Sequence, residues 1–108
     1  MSDVRFLYII GYDKEGPVKI GISNKPERRL KQLQTGQDKQ LVLFHVEEAV
    51  AKHAPVLERF VHAQIAHRRR SGEWFDICLE DAIAELKFSI IRWASDPELD
   101  AIIRRRRR

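Results

Sequence analysis

Apolar and polar positions first alternate along this chain and later recur at helical spacing. Residues 4–12 are rich in β-branched and aromatic side chains, and residues 17–23 alternate aliphatic with polar or small ones. These are patterns of β-strands, and the short turn at residues 13–16 predicts an antiparallel hairpin between them. The nearly continuous apolar run at residues 41–48 predicts a third, well-buried strand.

Three other stretches carry apolar residues three and four positions apart, which predicts helices. The first helix is expected to begin at Asn24 as N-cap, with Pro26 in its first turn, and to end before Gly36. The other two are expected to span residues 54–69 and 79–94.

Weaker signals complete the order of elements. Residues 73–78 are expected to be a short extended piece, and the cap signal at residues 95–98 predicts a short last helix. We therefore expect an α+β fold in which a small three-stranded antiparallel sheet is flanked by helices. The expected organisation is a main unit at residues 1–77, a helical extension of the same domain at residues 78–103 and a basic tail at residues 104–108.

Charge is unevenly distributed along the chain. The 20 Lys and Arg against 16 Asp and Glu give a net charge of +4, but residues 1–75 carry +4, residues 76–103 carry −5 and residues 104–108 carry +5. The first segment therefore favours a nucleic-acid partner. The acidic C-terminal helix would repel a phosphate backbone, so we expect it to pack on the far side of the fold or to meet a protein partner. The arginine run is either a phosphate-binding arm or a solvated tail.

Length and composition exclude several classes of protein. A chain of 108 residues is expected to form one domain, and 44% hydrophobic residues suffice for a packed core. Apolar runs fall far short of the roughly 20 residues that span a bilayer, so no membrane association is expected. A single cysteine, Cys78, excludes an internal disulfide. These features together predict a cytoplasmic protein.

Two groups of polar residues lie on otherwise apolar elements. Lys19 and Gly21 share one face of the second strand, where a glycine allows close approach of a ligand or another backbone. Glu58 and His62 lie four residues apart on the second helix, and helical spacing puts Arg69 on the same strip. Taken alone, both groups are better explained by exposed, solvated side chains.

An ordered set of motifs resembles the GIY-YIG nuclease superfamily. It comprises L-Y-I-I-G in the first strand, V-K-I-G-I-S in the second, P-E-R-R-L-K-Q-L-Q-T-G, L-E-R-F-V-H and S-G-E-W-F. The set looks like the phage-type branch whose second motif is K-I-G-I-S and whose last motif is G-E-W-F. The resemblance covers about residues 5–77, and it implies hydrolysis of phosphodiester bonds in DNA.

The resemblance assigns catalytic roles to four residues. Glu58 would bind a single divalent ion, Mg²⁺ or Mn²⁺, and Arg29 would contact the phosphate. Tyr8 would hydrogen-bond the attacking water or help to remove its proton. Lys19 stands where most of the superfamily has a second tyrosine, and an ammonium group is better suited to clamping a phosphate than to accepting a proton.

Further residues are expected to support this site. Arg70 stands near the place of an asparagine that many family members have, and Glu73 is expected either beside Arg29 or Arg70 or as a surface charge. Trp74 and Phe75 are expected to pack in the core rather than to stack on a base. The supporting set is Gly21, His62, Arg70 and Glu73. The resemblance leaves two functions open, a metal-dependent DNA endonuclease and a catalytically weak or inactive nucleic-acid-binding module of the same fold.

Overall fold

The predicted hairpin forms the centre of the sheet. The computed structural model describes residues 4–95. The strands are β1 (Val4–Gly11), β2 (Val18–Ser23), β3 (Val42–Val50), β4 (Arg69–Ser71) and β5 (Trp74–Phe75). The helices are α1 (Pro26–Gln34), α2 (Ala54–Gln64) and α3 (Leu79–Ser95), and a 3₁₀ turn spans Ala66–Arg68.

All neighbouring strands in the described part of the chain run antiparallel, in the order β3-β1-β2-β5-β4. The register places Tyr8 opposite Gly21 between β1 and β2. Between β2 and β5 it places Lys19 opposite Trp74. The hairpin therefore brings residues of the first two motifs side by side, and the last motif closes against the second.

Alternation along the strands divides the core between two faces of the sheet. Leu7 and Ile9 of β1 point toward α2 and α3, where they join Leu57 and Leu86 in the larger cluster. The intervening Tyr8 and Ile10 point to the other face, where they pack with α1 and Leu41. Tyr8 is thereby held on the α1 face at 1% exposure.

The predicted α+β class is confirmed, but the predicted strand count of three is wrong. The helix expected over residues 54–69 ends at Gln64, because Ile65 is the last residue there that faces the core and residues 66–70 are all exposed. The chain then turns back as the β4–β5 hairpin, whose turn contains Gly72 at a φ of +55°. Of the extended piece at residues 73–78, only Trp74–Phe75 pairs as a strand.

Two local expectations are also corrected. The N-cap of α1 is Lys25 rather than Asn24, and its own N–H bonds to the Oγ of Ser23 at 3.0 Å, without a side-chain cap on the helix. The apolar spacing that predicts α3 includes Ile91, but Ile91 is 66% exposed, because Leu86, Ser89, Ile90 and Trp93 form the side of the helix that faces the core.

The last predicted helix and the basic tail at residues 104–108 lie outside the described residues. The division at residue 77 falls inside the fold, since Ile77 and Leu86 belong to the same core cluster as the sheet. Among the helices that the structure describes, none has the length and apolar character needed to cross a bilayer.

Candidate active site

The outer edge of β2 is only partly covered by another strand, because β5 pairs with β2 at Val18 and Lys19 alone. Beyond Lys19, side chains of α2 hydrogen-bond to the backbone of β2. The Nε2–H of His62 donates to the carbonyl oxygen of Ile20 at 2.8 Å. The backbone N–H of Ile22 donates to the carboxyl group of Glu58. Because buried backbone groups require partners, the incomplete strand pairing fixes both α2 side chains against β2.

Glu58 shares this edge with a second carboxyl group. Its side chain is hydrogen-bonded to that of Glu73, which enters from the turn before β5. Burial, the largest cause, and the charge of Glu73 together raise the pKa of Glu58 to about 7, although the hydrogen bond from Ile22 opposes the rise. In its protonated form, Glu58 can donate the hydrogen bond that joins the two carboxyl groups.

Lys19 lies beside the carboxyl pair. Its Nζ is 3.3 Å from the Oε1 of Glu73, and its side chain is only 12% exposed. The interpretation of Lys19 as an exposed, solvated side chain is therefore wrong. Lys19 instead supplies a positive charge at the same place where Glu58 and Glu73 bring negative charge.

Tyr8 reaches the cluster across Gly21. A Cβ atom at Gly21 would lie 2.6 Å from the Cζ of Tyr8 and 3.0 Å from the Oε1 of Glu73, so only glycine allows this approach. The guanidinium of Arg29, from α1, donates a hydrogen bond to the phenol oxygen. Burial raises the pKa of Tyr8 above its ordinary value, an effect that the bond from Arg29 partly offsets. The phenol is therefore protonated at neutral pH.

The structure brings together most of the residues that the sequence singled out. Six of them surround Gly21, namely Tyr8, Lys19, Arg29, Glu58, His62 and Glu73. Arg70 does not join them, because its Nε pairs with the Oδ1 of Asp76 at 3.1 Å and its side chain is 60% exposed. Arg69 is also absent from the α2 strip, since it belongs to β4.

The contacts of Glu73 were anticipated only in part. It lies close enough to Arg29 for its charge to raise the pKa of that group, which agrees with one expectation, but its direct contacts are with Glu58 and Lys19. No sequence pattern indicated these contacts, because they depend on β5 being only two residues long.

His62 is held as a neutral imidazole. Burial lowers its pKa, and the hydrogen bond to the carbonyl of Ile20 opposes that shift. Since Nε2 donates to a carbonyl, the neutral ring carries its proton on Nε2 and leaves Nδ1 as an acceptor. His62 thus ties α2 to β2 one helical turn from Glu58 and keeps that carboxyl group in position.

The carboxyl pair has the donor chemistry of a magnesium or manganese site. Within residues 4–95 no cluster of three or more His, Cys, Asp or Glu side chains could enclose an ion. A site with one or two carboxylates, completed by water and substrate oxygens, is however the usual arrangement for Mg²⁺. The raised pKa of Glu58 also fits, because a divalent ion would replace the proton that the pair holds.

Trp74 and Phe75 separate onto opposite faces of the sheet. Phe75 is fully buried in the larger cluster, as expected. Trp74 is only partly buried and lines an open cavity on the α1 face with Tyr12. The sequence interpretation treated the two aromatic residues alike, although adjacent residues on a strand necessarily point to opposite faces.

Comparison with known proteins identifies one family. The model of the T5orf172 domain matches residues 5–93, a range that includes every residue of the cluster around Gly21. T5orf172 is a phage-associated domain that is often linked to nuclease or DNA-binding function. Searches of curated proteins and of solved structures found no match.

Proposed function

This chain belongs to the T5orf172 domain family, and from that premise we propose that it is a metal-dependent DNA endonuclease that hydrolyses phosphodiester bonds. The observation that carries the proposal is the convergence of a carboxyl pair, two cations and a phenol around Gly21. Phosphodiester hydrolysis needs the same set of groups, since negative charge must be neutralised and a water positioned. The motif resemblance to GIY-YIG nucleases supports the same reaction.

Glu58 would hold the divalent ion, with Glu73 beside it. A bound Mg²⁺ or Mn²⁺ would neutralise charge on the phosphate and promote ionisation of a bound water. Glu58 can serve this purpose only in its ionised form. Its carboxylate is kept in place by the N–H of Ile22, so the ligand is oriented before the ion arrives.

Tyr8 would position the attacking water. Its pKa is raised, so the phenol keeps its proton at neutral pH and is a poor base. Because Arg29 already donates to the phenol oxygen, the O–H of Tyr8 is directed elsewhere and can engage a water or a phosphate oxygen. Arg29 in turn provides a permanently charged, planar group for the phosphate.

Lys19 would bind the phosphate rather than take part in proton transfer. Its ammonium contacts the carboxyl group of Glu73 at 3.3 Å. Most members of the GIY-YIG superfamily have a tyrosine at this position, and a tyrosine could exchange a proton. A charged lysine instead stabilises developing negative charge. We therefore assign the water to Tyr8 and the phosphate to Lys19 and Arg29.

A nucleic-acid-binding module with weak or no cleavage is the second candidate. The specific observation in its favour is the ion pair of Lys19 with Glu73, which occupies both groups when no DNA is present. A pure binding protein, however, gains nothing from a carboxyl pair that is costly to ionise next to a phosphate site.

The two candidates are separated by measuring cleavage and binding on the same DNA. Plasmid, branched and single-stranded DNA are incubated with the protein in Mg²⁺, Mn²⁺ or EDTA, and binding is measured in EDTA. We expect cleavage that requires a metal and is lost in Glu58→Gln but kept in Glu48→Gln, whose side chain is exposed on β3. Salt-sensitive binding without cleavage in either metal would instead establish the binding module.

A further inference from the structure

A cavity of about 230 Å³ opens on the α1 face of the sheet, next to the cluster around Gly21. Its walls include Tyr12 and Trp74 from the sheet, Leu33 from α1 and Leu41 before β3. Since a cavity of about 150 Å³ accommodates a benzene-sized ring, this one has room for a bicyclic heteroaromatic ring.

The walls of the cavity suit a flat ring with a polar edge. The rings of Tyr12 and Trp74 lie nearly parallel, 8° apart, with centroids offset at 5.8 Å. Both residues line the cavity, so a flat ring that enters it can contact an aromatic wall. The Tyr12 hydroxyl donates to the Oε1 of Gln37, which fixes both groups at the rim.

Arg70 adds hydrogen-bond donors at the opposite rim. Its ion pair with Asp76 uses Nε, one of the five N–H groups of the guanidinium, and the side chain is 60% exposed. The terminal N–H groups can therefore reach the polar edge of a ring that has entered the cavity. Arg70 lies outside the cluster around Gly21, but it can contribute to this cavity as a hydrogen-bond donor.

The cavity adjoins the proposed phosphate site through Trp74. Trp74 lies opposite Lys19 in the β2–β5 register, and the Nζ of Lys19 is 5.9 Å from the centroid of the Trp74 ring. A nucleotide whose phosphate contacts Lys19 therefore brings its own base to the edge of Trp74. A base can lie against an aromatic wall in this way only when it is unstacked, as bases in single-stranded nucleic acid are.

We propose that this cavity, the Tyr12–Trp74 pocket, binds one unstacked nucleobase beside the phosphate held by Lys19. The inference rests on the proposed function for its substrate class, DNA, and it makes single-stranded, bulged or branched DNA the preferred substrate. Base–aromatic stacking of this kind tolerates any sequence, because every base has a π face.

The test measures binding in EDTA, where cleavage cannot contribute. The probes are a short single-stranded oligodeoxynucleotide containing 2-aminopurine, the same strand with an abasic site at that position, and the fully paired duplex. The variants are Trp74→Leu, which removes the ring but keeps apolar volume, Trp74→Phe and Arg70→Gln. The control is Phe88→Leu, an exposed aromatic residue on α3, and circular dichroism verifies that each variant is folded.

We expect the wild type to quench 2-aminopurine and to bind the intact strand more tightly than the abasic one. Trp74→Leu should weaken binding of the intact strand about 5- to 150-fold and leave the abasic strand unchanged. Trp74→Phe should restore most of the difference, and Arg70→Gln should reduce it even if Trp74→Leu does not fold. Equal affinity for intact and abasic strands in the wild type would overturn the pocket.

The outcome for the pocket can be distinguished from the outcome for cleavage. Base-dependent binding without cleavage in any metal would support the pocket and reject the endonuclease. Metal-dependent cleavage with no discrimination against the abasic strand would support the endonuclease and reject the pocket.

Discussion

Replacement of Glu58 by glutamine is expected to stabilise the metal-free protein above neutral pH. The carboxyl group of Glu58 is hydrogen-bonded to Glu73, accepts from the N–H of Ile22, and has its pKa raised from 4.5 to about 7. The folded protein therefore binds more protons than the unfolded chain between pH 4.5 and 7. The free energy of unfolding falls as the pH rises through this window and stays low above it.

The magnitude follows from the shift in the ionisation equilibrium. Each tenfold change in the ionisation constant corresponds to about 1.4 kcal/mol. Relative to the unfolded chain, ionising Glu58 in the folded state therefore costs at most about 3 kcal/mol above pH 7. Solvent reaches the half-buried pair, which lowers the expected cost to about 1–3 kcal/mol. A glutamine avoids this cost, because its oxygen still accepts from Ile22 while its amide donates to Glu73.

The assay is urea denaturation in EDTA at pH 5 and pH 8. Glu58→Gln should match the wild type at pH 5 and exceed its free energy of unfolding by about 1–3 kcal/mol at pH 8. Glu48→Gln should follow the wild type at both values. Adding Mg²⁺ at pH 8 should stabilise the wild type and leave Glu58→Gln unchanged. Equal dependence on pH in wild type and Glu58→Gln would refute the reasoning.

Three further perturbations test the site. Lys19→Met should lower the single-turnover cleavage rate about 100-fold or more, whereas Lys31→Met on the exposed side of α1 should not; full activity of Lys19→Met would remove Lys19 from the mechanism. Gly21→Ala should lower the free energy of unfolding by about 1–3 kcal/mol, since its Cβ would collide with Tyr8, and unchanged stability in denaturation would contradict that contact. Cleavage at fixed Mg²⁺ should decline as the pH falls through about 7, the pKa of Glu58, and a higher Mg²⁺ concentration should move the decline to lower pH. A pH profile that ignores the metal concentration would argue against metal binding by Glu58.

The central part of the fold was predictable because local patterns determined it. Period-two alternation over residues 17–23 and a short turn before them define the β1–β2 hairpin, and helical spacing defines most of α2 and α3. The β4–β5 hairpin was missed because strands of three and two residues carry no periodicity. Their formation depends on β2 offering an edge, which is a tertiary property.

The candidate site was predictable in part for a similar reason. Spacing and resemblance selected Tyr8, Lys19, Arg29 and Glu58, and the structure places these four around Gly21. The contact of Glu58 with Glu73 could not be inferred, because two like charges are expected to avoid each other. The contact is compatible with a hydrogen bond because burial raises the pKa of Glu58 and so favours its protonated form.

The Tyr12–Trp74 pocket was not predicted from the sequence, for a different reason. Tyr12 follows the last residue of β1, and Trp74 lies in a two-residue strand, so no periodicity predicts which face of the sheet either side chain occupies. The stacking of the two rings results from the placement of β5 beside β2, which carries Trp74 toward the end of β1.

The central claim is that the carboxyl pair of Glu58 and Glu73 holds the divalent ion on which DNA cleavage depends. Single-turnover cleavage of branched DNA at pH 8, with protein in excess over DNA and Mg²⁺ as the variable, tests this most directly. We expect a rate that saturates with Mg²⁺ in the wild type and falls about 100-fold or more in Glu58→Gln at equal DNA occupancy. Cleavage by Glu58→Gln at the wild-type rate, with the same dependence on Mg²⁺, would contradict it.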